Sequence, residues 1–327
     1  MKSFHNILVV IEPRQLRQPA LERGIALYNY AVAHKKANKT DDEVKIIAVL
    51  PVEEEPWSFT SLLSIDKKQL EKERYQKNVK WLDAYLSISA MGIKIDKKVI
   101  YSRNVGKELV SLAKDECCDI LIKGSDIHGL LDSVFFTPLD WQILRHSPIP
   151  VCIAKDHLWE ASGTIAVAVD LTSPDDEFTH LLNLSLLREA QALAKFTGSK
   201  IALINAITPI MPPVAVDVPG YTPDCVYDDN VKEICQKALD FASRHKVSSA
   251  NCHIEEGSLE DVIVNCCQKI KPTALFIGTA ARKGIASAII GNICERITDN
   301  LDCDVVVITP KSVIRHIPTT IPSKSIP

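Results

Sequence analysis

Ala274-Leu275-Phe276-Ile277-Gly278-Thr279-Ala280-Ala281-Arg282-Lys283-Gly284 joins a short apolar run to a loop bounded by glycines. Four large or small apolar residues in a row, with no polar alternation, are the pattern of a parallel strand covered on both faces. The glycines let backbone N–H groups approach a ligand closely, and Gly291-Asn292 then opens a helix whose N-terminus carries positive partial charge. Outward in both directions the same rhythm continues. Strand Ile165–Val169 precedes a helix with Leu182, Leu186, Ala190 and Leu193 on one face. Ser173-Pro174-Asp175-Asp176 reads as that helix's start, with serine as cap and proline at the first position. Strand Ile201–Ile207, a helix over about 226–245, strand Cys252–Glu255, helix Leu259–Ile270, strand Ala274–Ile277, helix Ile293–Leu301 and strand Val305–Ile308 complete the set.

The preceding half runs the same way. Ile7–Ile11 is a first strand, and the helix after it places Leu21, Ile25, Tyr28 and Val32 on one face. Strand Val44–Leu50, a charged helix over about 67–90 with Val79, Leu82 and Leu86 inward, strand Ile93–Ile100, a short helix near Leu109–Ala113, strand Asp119–Ile122, a helix near Leu139–Arg145 and strand Val151–Ala154 follow. Gly124 and Gly278, Thr137 and Gly291, and Pro150 and Asp304 each stand 154 residues apart, while Glu12 and Asp170 stand 158 apart. So long a period marks a duplicated domain rather than a solenoid. Five strands alternating with four helices, twice, predict an α/β chain of two tandem doubly wound, five-stranded parallel-sheet domains. The expected boundaries are 1–156 and 160–310, with a flexible tail over 311–327.

Composition fits that plan and narrows the chemistry. The 327 residues are 46% hydrophobic and 24% charged, with a net charge of -3. This weak acidity, with no basic stripe carrying interleaved aromatics, argues against nucleic acid as a partner. No apolar run reaches the ~20 residues of a membrane span. The run Ile7–Ile11 is too short for a secretory signal, so cytoplasmic residence is expected. The ten cysteines include adjacent pairs Cys117-Cys118 and Cys266-Cys267 but no C-x-x-C, and they read as reduced, buried thiols rather than metal ligands. Histidines such as His128, His146, His180, His245, His253 and His316 are scattered and read as surface or core residues. No G-x-S-x-G elbow, H-E-x-x-H pair or Walker A loop is present, so no catalytic residue and no metal site are assigned.

In such sheets a ligand sits beyond the carboxyl ends of the strands, where the strand order reverses. Two segments of the second half point there. Val167-Ala168-Val169-Asp170 places a carboxylate at a strand tip, which can accept a hydrogen bond from a nucleoside or simply hold its own turn. The loop Gly278, Thr279, Ala281, Arg282 and Gly284, continued by Gly291 and Asn292, can cradle an anion or be an empty glycine-rich turn. The proline-rich stretch Ile207–Asp224 and its counterpart with Pro51, Pro56, Trp57, Phe59, Leu62 and Leu63 are apolar. They can pack between domains or wall a ligand that has an apolar part.

These residues resemble the universal stress protein family. That family carries G-x-x-G, nine residues and G-[ST] after its fourth strand. Here Gly278 and Ala281 are followed by nine residues and Gly291-Asn292. An aspartate ends the family's first strand, where Asp170 stands. The run Leu144-Arg145-His146-Ser147-Pro148-Ile149-Pro150-Val151 matches its last helix and strand. Phe136-Thr137-Pro138-Leu139-Asp140-Trp141 and the tandem layout resemble a tandem branch of the family. The resemblance implies a fold like that of the adenine nucleotide alpha hydrolases and a ligand such as ATP or another adenine nucleotide. It also implies a stress-response role without dedicated enzymatic activity, and an intramolecular pseudo-dimer built on Val151–Ala154 and Val305–Ile308, which a homodimer could extend. The first half departs from the pattern: Ile127 stands for the second glycine, Thr137-Pro138 for Gly-Ser and Glu12 for the aspartate, while Asp126 and Asp132 add negative charge. It is therefore expected not to bind a triphosphate. A weak nucleotide hydrolase and a non-binding interaction scaffold are the competing functions.

Overall fold

The structure is a computed structural model. It describes residues 5–13, 15, 17–39, 43–54, 67–90, 92–125, 137–159, 162–172, 176–208, 223–278, 294 and 296–309, and the side chains of all of these except 67, 68 and 223–230. The chain divides into two compact units. One holds the residues up to His157 together with Thr309, and the other runs from Leu158 to Ile308.

In the first unit the elements are β1 (Asn6–Val10), α1 (Pro19–Asn38), β2 (Lys45–Glu53), α2 (Lys67–Ser89), β3 (Ile95–Ser102), α3 (Val105–Asp115), β4 (Ile120–Gly124), α4 (Pro138–His146) and β5 (Val151–Ala154). Its strands lie in the order β3-β2-β1-β4-β5. Each described pairing is parallel, with β1 between β2 and β4. The second unit has β6 (Thr164–Ala168), α5 (Glu177–Thr197), β7 (Lys200–Ile207), α6 (Pro223–Arg244), β8 (Cys252–Glu256), α7 (Leu259–Ile270), β9 (Ala274–Gly278) and β10 (Asp304–Ile308). A single 3-10 turn, Ser249–Asn251, leads into β8, and residues 294 and 296–299 are helical. The order β8-β7-β6-β9-β10 repeats that of the first unit, again with parallel pairing. The predicted doubly wound, duplicated α/β architecture is thus the observed one.

The central strands explain the pattern read from the sequence. Ile7, Leu8, Val9 and Val10 of β1 and Ile46 to Leu50 of β2 are wholly buried, as both faces of a parallel sheet demand. The edge strand β3 is half-buried along its length. Its lysines are engaged: Lys97 pairs with Asp83 and Lys98 with Glu116, while Lys45 of β2 reaches Asp96 at 2.8 Å. Charged side chains on an edge discourage pairing with another sheet.

Two readings need correction. The buried stripe of α1 is Ala20, Leu21, Gly24, Leu27 and Ala31, rotated from the predicted one, and Ile25, Tyr28 and Val32 lie at its flanks. The small residues win because α1 lies tight on β1: a Cβ on Gly24 would stand 2.5 Å from Val9 Cγ2. Apolar periodicity alone does not weigh that close approach. Helix α5 begins at Glu177 with Asp176 as its N-terminal neighbour, not at Ser173. The Asp176 carboxylate accepts from the Thr179 hydroxyl at 2.6 Å. Residues 173–175 lie outside the described residues, as do 55–66, 126–136, 209–222, 279–293 and 310–327. The two apolar loops and the tail read from sequence fall there.

Candidate functional site

In the order 3-2-1-4-5 the chain leaves the first strand of each unit toward one neighbour and returns later to the other. The tip of β6, between β7 and β9, is therefore the switch point of the second unit, and the tip of β1 is that of the first. Asp170 and Glu12 stand just past these tips.

Asp170 is held from three sides. Its backbone N–H donates to Asn183 Oδ1 at 3.1 Å, and its carbonyl accepts from Asn183 Nδ2 at 2.7 Å. Asn183 sits on α5 within the stripe that faces the sheet, and is buried. The next N–H, of Leu171, donates to Asn205 Oδ1 of β7 at 2.9 Å. The Asp170 carboxylate itself accepts from the Thr172 N–H at 3.0 Å and the Thr172 hydroxyl at 2.6 Å through Oδ1. This is an Asx-type turn, so the turn role weighed from the sequence is present. It engages Oδ1 and fixes the orientation of the carboxylate.

The first unit builds the same clasp from a different position. Glu12 N–H donates to Gln18 Oε1 at 2.9 Å, and Gln18 Nε2 donates to the Glu12 carbonyl at 2.5 Å and to the Gln15 carbonyl at 3.0 Å. Gln18 is the residue at the start of α1, and its side chain makes no cap of that helix because it serves the strand tip instead. A side-chain amide carries a donor and an acceptor side by side, which is the set needed to hold one residue's N–H and C=O together. Neither clasp was legible in the sequence, since Gln18 and Asn183 occupy non-equivalent positions.

Gly278 ends β9, beside β6. A Cβ there would stand 2.6 Å from Leu182 Cδ2 and 3.1 Å from two further atoms of the same side chain. The glycine thus suits the close approach of α5, since a larger residue would have to push the Leu182 side chain aside. Its counterpart Gly124 is under no such demand: a Cβ would meet Glu12 Oε2 at 3.5 Å and Gln15 Oε1 at 3.6 Å, ordinary contacts. The remaining candidates, Thr279, Ala281, Arg282, Gly284, Gly291 and Asn292, lie outside the described residues.

At the matching place in the first unit the sequence reading missed a residue. Lys123, on β4, has a side chain only 2% exposed. Its ammonium lies 2.6 Å from Glu12 Oε1 and 3.1 Å from Asp140 Oδ1, and donates to the Gly124 carbonyl at 3.2 Å. Asp140 belongs to α4, which starts with a capping box: the N–H and hydroxyl of Thr137 donate to Asp140 Oδ2 at 2.7 and 2.8 Å, and Asp140 N–H donates back to Thr137 Oγ1 at 3.3 Å. The signal available was a lysine inside an otherwise apolar strand, which is almost never buried without a partner.

Elsewhere several thiols are buried, while Cys117 and His180 are exposed. Burial pushes the Cys118 thiol up to about 12 and Cys266 up to about 11, which keeps both protonated and unreactive. The nine described cysteines are free thiols, and no cluster of three or more His, Cys, Asp or Glu suited to a metal occurs among the described residues. No described helix is long and apolar enough to cross a membrane.

The universal stress protein family model matches residues 3–155 and again 163–309. Universal stress protein E of Photorhabdus laumondii is 32% identical over 319 residues, covering 95% of this chain and 96% of its own. Universal stress protein E of Escherichia coli K12 is 31% identical over the same length, covering 95% of each. Among solved structures, a functionally unknown protein of Pseudomonas aeruginosa aligns over 95% of both chains with a TM-score of 0.68 at 23% identity, a likeness of fold. Two family matches on one chain, each spanning one five-stranded unit, and relatives of equal length together establish that this chain belongs to the universal stress protein family as a tandem member.

Proposed function

We propose that the chain is a cytoplasmic stress-response protein that binds an adenine nucleotide at the switch point of its second unit, without turning it over as a dedicated enzyme. The observation that carries this reading is Asp170. Its backbone is clasped by Asn183, its following N–H is fixed by Asn205, and its carboxylate is oriented by Thr172. A carboxylate held this firmly can accept hydrogen bonds from a ribose or an exocyclic amine without first losing conformational entropy. The adjacent loop, with Arg282 and Lys283 and the helix that follows Gly291-Asn292, supplies the residue types that hold phosphates.

Calorimetric titration of the whole chain with ATP tests the reading. One equivalent per chain is expected, and Asp170→Ala should weaken binding about tenfold or more, the loss of a hydrogen bond to a charged group. Asn183→Ala should weaken it less, because it loosens the backbone but leaves the carboxylate. Wild-type protein that gives no heat with ATP, and whose residues 164–172 gain no protection from hydrogen exchange, would overturn nucleotide binding in favour of a ligand with an apolar part at the proline-rich loops.

A further inference from the structure

Two observations converge at the N-terminus of α4. The Thr137 N–H and hydroxyl, which a helix N-terminus would offer an anion, are both taken by Asp140 Oδ2. The other oxygen of the same carboxylate lies 3.1 Å from the ammonium of Lys123, whose side chain is 2% exposed and which also meets Glu12 at 2.6 Å. Together these are an anion, a fixed cation and a helix N-terminus in a single buried cluster at the switch point of the first unit.

The second unit lacks this cluster. At the 154-residue offset Lys123 corresponds to Ile277 and Asp140 to Cys294, both buried and uncharged. Only the strand-tip carboxylate is shared, as Glu12 and Asp170. The two charged residues that set the first unit apart thus occur together, and they touch each other.

We propose that the first unit carries its own ligand: the Asp140 carboxylate fills the anion seat at the N-terminus of α4, and Lys123 is its built-in counter-ion. A carboxylate at a helix N-terminus satisfies the same N–H donors and the same dipole as a phosphate would. The lysine holds that carboxylate in place, since removing it would take one of two carboxylates from a buried cation. The first unit is therefore constitutively occupied. Because it concerns only the first unit, this inference stands or falls independently of nucleotide binding in the second.

The test removes the internal anion and offers an external one. In the whole chain, Asp140→Ala should lower the thermal unfolding midpoint. Inorganic phosphate, compared with chloride at matched ionic strength, should restore it in a saturable way. Hydrogen exchange should place the protection within 120–125 and 137–147. Wild-type protein should show no phosphate-specific protection in those segments. The double variant Asp140→Ala/Lys123→Met, lacking the counter-ion, should need about tenfold more phosphate or more, as loss of a charged partner implies. If Asp140→Ala does not fold, Asp140→Ser, which keeps a hydroxyl to accept from Thr137, gives the same comparison. A single variant no more responsive to phosphate than wild type, a double variant as responsive as the single, or wild-type protein protected by phosphate in those segments would each overturn the proposal.

Discussion

A side-chain amide and a buried lysine do most to set this chain's two switch points, and each invites a direct test. Lys123 is nearly fully buried between two carboxylates. Lys123→Met leaves Glu12 and Asp140 without their cation and should cost about 3–5 kcal/mol in chemical denaturation. The triple variant Lys123→Met/Glu12→Gln/Asp140→Asn, with no charge left to strand, should recover most of that loss. A triple variant as unstable as the single would show that packing rather than charge is at stake. Gly278 offers a second test. A methyl there meets Leu182 at 2.6 Å, so Gly278→Ala should destabilise by about 1–3 kcal/mol through overpacking. Adding Leu182→Ala makes room, and a double-mutant cycle should then give a favourable coupling. Gly124→Ala meets only ordinary contacts and should cost less than Gly278→Ala. Loss of ATP binding in a Gly278 variant is consequently a packing result as well as a loop result, which makes Asp170→Ala the cleaner probe of the site.

Among the elements, α4 concentrates both ends of a design. Its start is the Thr137–Asp140 capping box with proline at the first turn, and its last turn holds Arg145 and His146. Cations there complement the helix dipole. His146 is nonetheless held below its ordinary pKa, first by burial and then by Arg145, and its Nδ1 is buried without a hydrogen-bond partner among the described residues. The folded state therefore prefers the neutral ring. That preference adds stability which is complete above the unfolded value of about 6.5 and is lost as pH falls from there through the lowered folded value. Urea midpoints of wild type and His146→Gln should accordingly diverge less at pH 5 than at pH 8, after allowing for His245, which is lowered in the same sense mainly by burial. A difference that does not change with pH would remove His146 from the account. Thr137→Ala should cost about 1 kcal/mol at the other end of the helix, the usual worth of an N-cap.

For the molecule as a whole, charge sets one clear expectation. The net charge is -3, and even the most basic helix, α2, sets Glu71, Glu73 and Asp83 among its six basic residues. Such interleaving gives no continuous field for a phosphate backbone, so duplex DNA should not be bound more tightly than about 1 µM at physiological salt. A mobility shift below that concentration would contradict it.

The sequence by itself determined the duplication, the parallel α/β class and the strand ends at which a ligand could sit. Those follow from apolar runs covered on both faces, from the spacing of 154 to 158 residues between matching positions and from the handedness of parallel crossovers, all of which are local or periodic properties. Asp170 was legible because a carboxylate ending an apolar strand is conspicuous. What only the tertiary structure decided is which partner each of these residues meets. The α1 stripe turned toward Gly24 because a helix settles where small residues let it approach a strand, a fact about two surfaces rather than one. Gln18 and Asn183 hold equivalent strand tips from non-equivalent positions, so no repeat reveals them. Lys123, Glu12 and Asp140 stand far apart in the chain and are joined only where β1, β4 and α4 converge. There the cost of burying each charge is met by the others, a sum that no single stretch of sequence contains.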